Sequence, residues 1–252
     1  MKILKTLSIL LVTAFAVPTQ AQTVDEILNN YFENTGGIEA WNKLEAMQMT
    51  AMANAQGMEI PVTVIQTKDG KMLIKINFQG QEIVQQAYDG ETMWATNFMT
   101  QQPEKADAEA TANMKLQTKD FPSPFLNYKE KGFTVELLGE EVKEGTETYK
   151  IKLTQAPRMV DGKEVPNVSF YYFEKENFVP IMSETEIPSG PAAGQMAVST
   201  MSDYQEVDGL YFPFDMGMGG QSIMVKDIVL NPDLEDAMFA FPETAEGEDD
   251  KD

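Results

Sequence analysis

The chain has 252 residues, with no Cys and no His, and 40 acidic against 19 basic residues, for a formal charge of −21. That balance disfavours nucleic acid and any basic membrane patch as binding modes, because phosphate would be repelled. The missing residue types exclude a thiolate nucleophile, a zinc–thiolate site, a His metal cluster and a Ser-His-Asp triad.

Lys2 and Lys5 precede an apolar run from Leu7 to Val17 that is too short to span a bilayer as a helix. Thr19-Gln20-Ala21 then supplies a small-x-small cleavage pattern, so residues 1–21 are expected to be a cleaved secretory signal peptide. Thr23 and Glu26 form a capping box ahead of a helix carrying Val24, Ile27, Leu28, Tyr31 and Phe32 on one face. Gly36-Gly37 stops it, and a second short helix carries Ile38, Trp41 and Leu44.

Strands follow. Met47, Met49, Ala51 and Ala53 share a face, as do Ile60, Val62 and Val64, while Met72, Ile74, Ile76 and Phe78 alternate with Lys71, Lys75 and Asn77. Ile83 and Val84 belong to a run ending at Tyr88, and Trp94 and Phe98 are expected on the next strand. From Pro103 to Thr118 the period of two is lost and small residues prevail. This predicts a helix with Pro103 in its first turn, continued by the aromatic-rich loop Phe121 to Leu126.

Strands resume with Phe133 to Leu137, Tyr149 to Leu153 and Val168 to Tyr172. The last four are expected at 178–187, 196–204, 210–214 and 223–230. Four Asp-Gly pairs (69–70, 89–90, 161–162 and 208–209) sit between alternating runs and read as hairpin turns. A terminal helical turn begins near Asn231-Pro232, and Met238, Phe239 and Phe241 can close over the sheet edge. The last ten residues hold six acids and one Lys and read as a disordered tail.

The expected fold is mainly β with α, of the α+β class. It is a single curved antiparallel sheet of about 10–11 strands, forming a half-open barrel around a helical plug or lid, because a sheet this wide must curl. The expected organisation is a signal peptide over 1–21, one domain over 22–242 and the acidic tail over 243–252. Glu184 with Glu186, or Glu140 with Glu141, would act as a hydrolytic pair only if a cleft set them at a defined separation; solvated strand faces are the simpler reading. Arg158, the one Arg, reads as a surface loop charge. The 17 Met residues suit either a core or a surface that fits variable apolar ligands.

Three stretches carry a family likeness: the helical opening Tyr31 to Trp41, the hairpin from Asp203-Tyr204 to Pro213, and the close from Leu230-Asn231-Pro232 to Phe239. On these the chain resembles the periplasmic lipoprotein carrier and outer-membrane lipoprotein-sorting superfamily. The resemblance implies a periplasmic, non-enzymatic protein, without cofactor or metal, that holds a lipid or an acylated lipoprotein in a concave apolar cavity. The cavity would be lined by Met72, Ile74, Ile76, Phe78, Trp94, Phe98, Ile151, Leu153, Phe170 and Phe212, with Phe121 and Phe125 near the lid. The family also implies an Arg on an early strand; residues 46–78 contain none, which departs from a hand-over carrier. The alternative is an envelope interaction or assembly protein whose core is filled by its own helices, with another envelope protein as partner.

Overall fold

Alternating side chains build thirteen strands among the described residues, and these hydrogen-bond into one antiparallel sheet. The computed structural model describes residues 22–55 and 57–242. The expected signal peptide and acidic tail lie outside them. The first strands are β1 (Ala46–Ala55), β2 (Met58–Thr67), β3 (Met72–Phe78), β4 (Gln81–Tyr88), β5 (Met93–Thr96) and β6 (Pro103–Lys105). Then come β7 (Thr134–Lys143), β8 (Thr146–Val160), β9 (Lys163–Glu174), β10 (Pro180–Glu186), β11 (Met196–Val207), β12 (Leu210–Met218) and β13 (Gln221–Leu230). Their spatial order is β6-β5-β4-β3-β2-β1-β13-β12-β11-β10-β9-β8-β7, so the last strand returns to pair with the first and the sheet stays open between β6 and β7. The expected curved half-barrel is correct, with a larger strand count than expected.

Two differences have local causes. Pro103 opens the short edge strand β6 rather than a helix, where its missing N–H is harmless. The helix α3 (Ala108–Gln117) begins later, where the Asp107 carboxylate accepts from the Ala110 N–H at 2.7 Å. The Asp208-Gly209 turn forms as expected, both residues holding positive φ (48° and 86°) as a two-residue hairpin requires. Pro213 sits below the point where β12 parts from β13, whose pairing starts at Asp215. There β12 turns to the helices instead, the Tyr211 N–H donating to the Thr35 carbonyl at 3.1 Å.

The register defines two faces, because directly paired residues share a side. One row runs Met47, Gln66, Met72, Tyr88 across β1 to β4. The row beside it, Gln48, Ile65, Leu73, Ala87, Trp94, points the other way. Helices α1 (Val24–Asn34) and α2 (Ile38–Asn42) lie on the Met47 side, which is the concave side. Ile27, Leu28, Tyr31, Phe32 and Trp41 pack there with Ile151, Leu153, Phe173 and Phe212, and the Trp41 and Phe212 rings meet at 5.3 Å. The Trp41 indole N–H is satisfied by the Thr35 carbonyl and hydroxyl at 3.2 and 3.1 Å. Gly36 is required where α1 meets the hairpin: its φ is 115°, and a Cβ would stand 2.1 Å from the Gly209 carbonyl.

The closing segment takes the opposite face. Phe239 is buried with Ile65, Leu73, Ala87 and Trp94, and the Trp94 indole donates to the Phe239 carbonyl at 2.9 Å. The sheet therefore has a large core under α1 and α2 and a smaller one outside, under the C-terminal strap.

Candidate functional site

Helix α3 crosses the concave side from one end of the sheet to the other. At its start, the Glu109 carboxylate accepts from the Asp161 and Gly162 N–H groups of the β8–β9 turn, at 3.0 and 2.8 Å. One turn on, the Asn113 amide makes two hydrogen bonds with the backbone of Met159, at 2.7 and 2.9 Å. Met114 then buries itself against Met72 and Tyr88. Two of these three anchoring side chains are polar, and Met114 is the buried side chain of the helix.

Between α3 and the concave side of β8 to β10 lies a cleft of about 750 Å³. Its lining is mixed: Leu116, Met159 and Met218 beside Asp120, Gln155, Arg158, Ser169, Tyr171 and Thr185. Burial pushes the Asp120 carboxyl up from the ordinary 3.8 to about 6, opposed by a hydrogen bond from the Gln155 amide and by the nearby Lys131 ammonium. Burial likewise pulls Lys131 down to about 8; its ammonium donates to the Phe121 and Ser123 carbonyls at 3.2 and 2.8 Å. The Tyr171 hydroxyl is pushed up by burial and by Asp120. Ser169 and Thr185 hydroxyls meet at 2.7 Å.

Arg158 belongs to β8, not to a loop. It follows a register shift after Gln155, donates from Nη2 to the Glu186 carbonyl at 3.0 Å, and keeps a buried Nε with no hydrogen-bond partner among the described residues. Neither it nor Asp120 carries a local pattern by which its burial could be read; each is placed by chain far away in sequence.

Beyond the helices, the concave face of the early strands is apolar and half-buried. One row pairs Ile60, Ala53, Ile223, Met216 and Met201; the next pairs Ile76, Val62, Ala51 and Val225. Except for the buried Ala51 and Val225, these side chains are partly accessible, and Ile60, Val62, Ile76 and Ile223 belong to none of the packed cores. The same strands show Lys75, Thr63, Thr50 and Asp227 on the outer side. The concave side of these strands therefore carries a partly accessible apolar strip, and the outer side is polar.

Of the expected cavity residues, Met72, Ile74, Ile76, Phe78, Ile151, Leu153 and Phe212 are on the concave side, where Phe121 and Phe125 join the core under the helices. They do not form one lining. Ile151, Leu153, Phe121, Phe125 and Phe212 are packed core, Met72 is sealed by α3, and Ile76 belongs to the open floor. Two others are on the wrong side. Trp94 pairs with Ala87 on the outer face and serves the C-terminal strap. Phe170 pairs with Lys152 on the outer face and lies under the Lys150 ammonium, 5.4 Å from its ring centre. Each is one residue out of phase with the concave set, and a one-residue offset reverses the face. Phe98 is not in a strand but in the exposed β5–β6 turn.

No family model matches the sequence, and no curated protein matches it either. Solved structures do. A LolA superfamily protein from Nitrosomonas europaea superposes with a TM-score of 0.53 at 18% identity, covering 87% of this chain and 98% of that one. A DUF1329 family protein from Desulfovibrio piger gives 0.53 at 14% identity over 86% and 97%. A putative outer membrane lipoprotein-sorting protein domain from Vibrio parahaemolyticus gives 0.50 at 11% identity over 85% and 94%. The chain has the LolA-like fold.

Proposed function

We propose that the protein is a non-enzymatic carrier or binding protein of the cell envelope, acting in the periplasm, that holds the acyl chain of a lipid or lipoprotein against its concave face. The observation that carries this reading is the open floor of Ile60, Val62, Ile76 and Ile223, partly accessible although the sheet curls around it. Each buried methylene contributes about 0.8 kcal/mol, so an acyl chain of about ten carbons gains roughly 8 kcal/mol before the cost of ordering it. No charge on the protein is needed for that gain. The polar end of the lipid fits the adjoining cleft, where Gln155, Ser169, Thr185 and the unpartnered Nε of Arg158 stand near Met218. The fold shared with the LolA superfamily and lipoprotein-sorting structures supports the same assignment.

Organic-solvent extraction of the purified protein, read by mass spectrometry, tests it. The expected result is a lipid or fatty acid released in amounts comparable to the protein, and displacement of a fluorescent fatty acid by added lipid. A clean extract together with no uptake of the fluorescent probe would reject the reading. It would favour the alternative of an envelope assembly protein, which the filled core under α1 and α2 supports on its own half of the sheet.

A further inference from the structure

The two ends of the sheet differ in charge. Antiparallel order puts the β1–β2, β3–β4, β5–β6, β10–β11 and β12–β13 turns on one rim. Their sequences, residues 54–58, 78–81, 97–103, 187–196 and 216–222, contain no Asp, Glu, Lys or Arg, in a chain where 23% of residues are charged. The one charged turn on that rim, at Asp161-Gly162, is tied down by Glu109. The opposite rim reads Lys68-Asp69-Gly70-Lys71, Asp89-Gly90-Glu91, Lys143-Glu144-Gly145 and Glu206-Val207-Asp208.

The neutral rim also displays apolar side chains. Phe98 is 56% exposed, Met99 94%, Met58 50% and Met218 60%. The Phe98-Met99 tip is an ordered one. The Asn97 side-chain oxygen accepts from the Met99 and Thr100 N–H groups at 2.8 and 3.2 Å, and the Gln101 N–H donates to the Asn97 carbonyl at 2.8 Å. The neighbouring tip is joined to it by an amide contact of 2.9 Å between Gln81 and Gln101. Single exposed apolar residues need no explanation, but several on adjacent uncharged turns at one end do.

We propose that this rim docks on the surface of a zwitterionic phospholipid bilayer, with Phe98 and Met99 entering the headgroup–acyl boundary and Met58 and Met218 exposed on other turns of the same rim. Charge selects the partner. A chain of −21 is repelled by an anionic surface, and although the tips of these turns are uncharged, Glu59, Glu82, Glu104, Glu186 and Asp215 stand at the first strand positions behind them and add to that repulsion. Neutral amide and backbone groups with aromatic and thioether tips suit the interface of an uncharged bilayer. The concave floor opens towards the same rim, since Ile60, Met216 and Phe78 are the rim-side residues of their strands. Docking does not require the floor to hold a lipid, so the two assignments fail separately.

Intrinsic fluorescence in the full chain tests the proposal, with an indole introduced by Phe98→Trp on the neutral rim or by Glu91→Trp on the charged rim. Vesicles of phosphatidylcholine, with and without brominated acyl chains, serve as probe. The expected result is a blue shift and bromine quenching specific to Phe98→Trp, weakened when phosphatidylglycerol replaces part of the neutral lipid. The double variant Phe98→Ser/Met99→Ser, with both sites exposed and the fold checked by circular dichroism, is expected to lose vesicle affinity by at least about tenfold. Thr63→Asn, on the outer face and away from both the rim and the floor, is expected to leave it unchanged. Equal quenching at both rims, an absence of quenching, or a blue shift that depends on protein concentration rather than on vesicles would overturn the proposal. The last result would assign the rim to a second copy of the chain.

Discussion

The concave face has two halves that share one residue pattern and differ in what covers them. Under α1 and α2, Ile151 and Leu153 are fully buried with Phe173, Tyr31 and Trp41. On β2 and β3, Val62 and Ile76 alternate with polar residues in the same way but stay partly accessible. Alternation therefore marks the side of the sheet on which a residue lies. Whether that side becomes closed core or an open floor depends on where the helices land, and those contacts are distant in sequence.

One substitution made in both halves breaks this comparison most sharply. Ile151→Asn places an amide where no solvent reaches, and is expected to cost about 3–5 kcal/mol in urea unfolding. A loss below about 1 kcal/mol would mean that this half is not closed. On the outer face, Trp94→Phe removes the indole hydrogen bond to the Phe239 carbonyl and should cost about 1–3 kcal/mol. Protease susceptibility of the C-terminal strap should rise with it; unchanged digestion would show the strap held by other contacts.

The cleft supplies a pH test. The carboxyl of Asp120 titrates higher in the folded protein than the ordinary 3.8, at about 6, so the folded state binds its proton more tightly. Its contribution to stability is greatest at low pH and falls as pH rises through about 4 to 6. Asp120→Asn keeps an acceptor for Gln155 and removes the buried charge. The variant should be more stable than the parent above pH about 6, with the difference closing as pH falls toward about 4. A difference independent of pH would show Asp120 to be solvated. The smallest stability change belongs to Ile76→Asn on the floor, under about 1 kcal/mol. It should nonetheless weaken fatty-acid binding by about tenfold or more, read by fluorescent displacement.

The same comparison explains what could be read in advance. The curl of the sheet, the capping box at Thr23 and the Asp208-Gly209 hairpin follow from local chemistry and appear in place. Trp94 and Phe170 mislead because an aromatic in a strand looks alike on either face, and its side is settled by register against the next strand. Asp120 and Arg158 were invisible as a pair of cleft residues. Nothing near either in sequence shows that α3 and β8 will meet across the barrel. The floor was half legible: Ile60, Val62 and Val64 share a face by alternation, while Ile223 and Met216 join them through the pairing of the last strands with the first.

The most direct test of the open floor is photo-crosslinking with a diazirine fatty acid, mapped by peptide mass spectrometry. The account predicts adducts on Ile60, Val62, Ile76, Met216 and Ile223, with Ile151 and Leu153 unlabelled beneath the helices. Labelling confined to the outer face, or spread equally over both halves of the concave face, would contradict it.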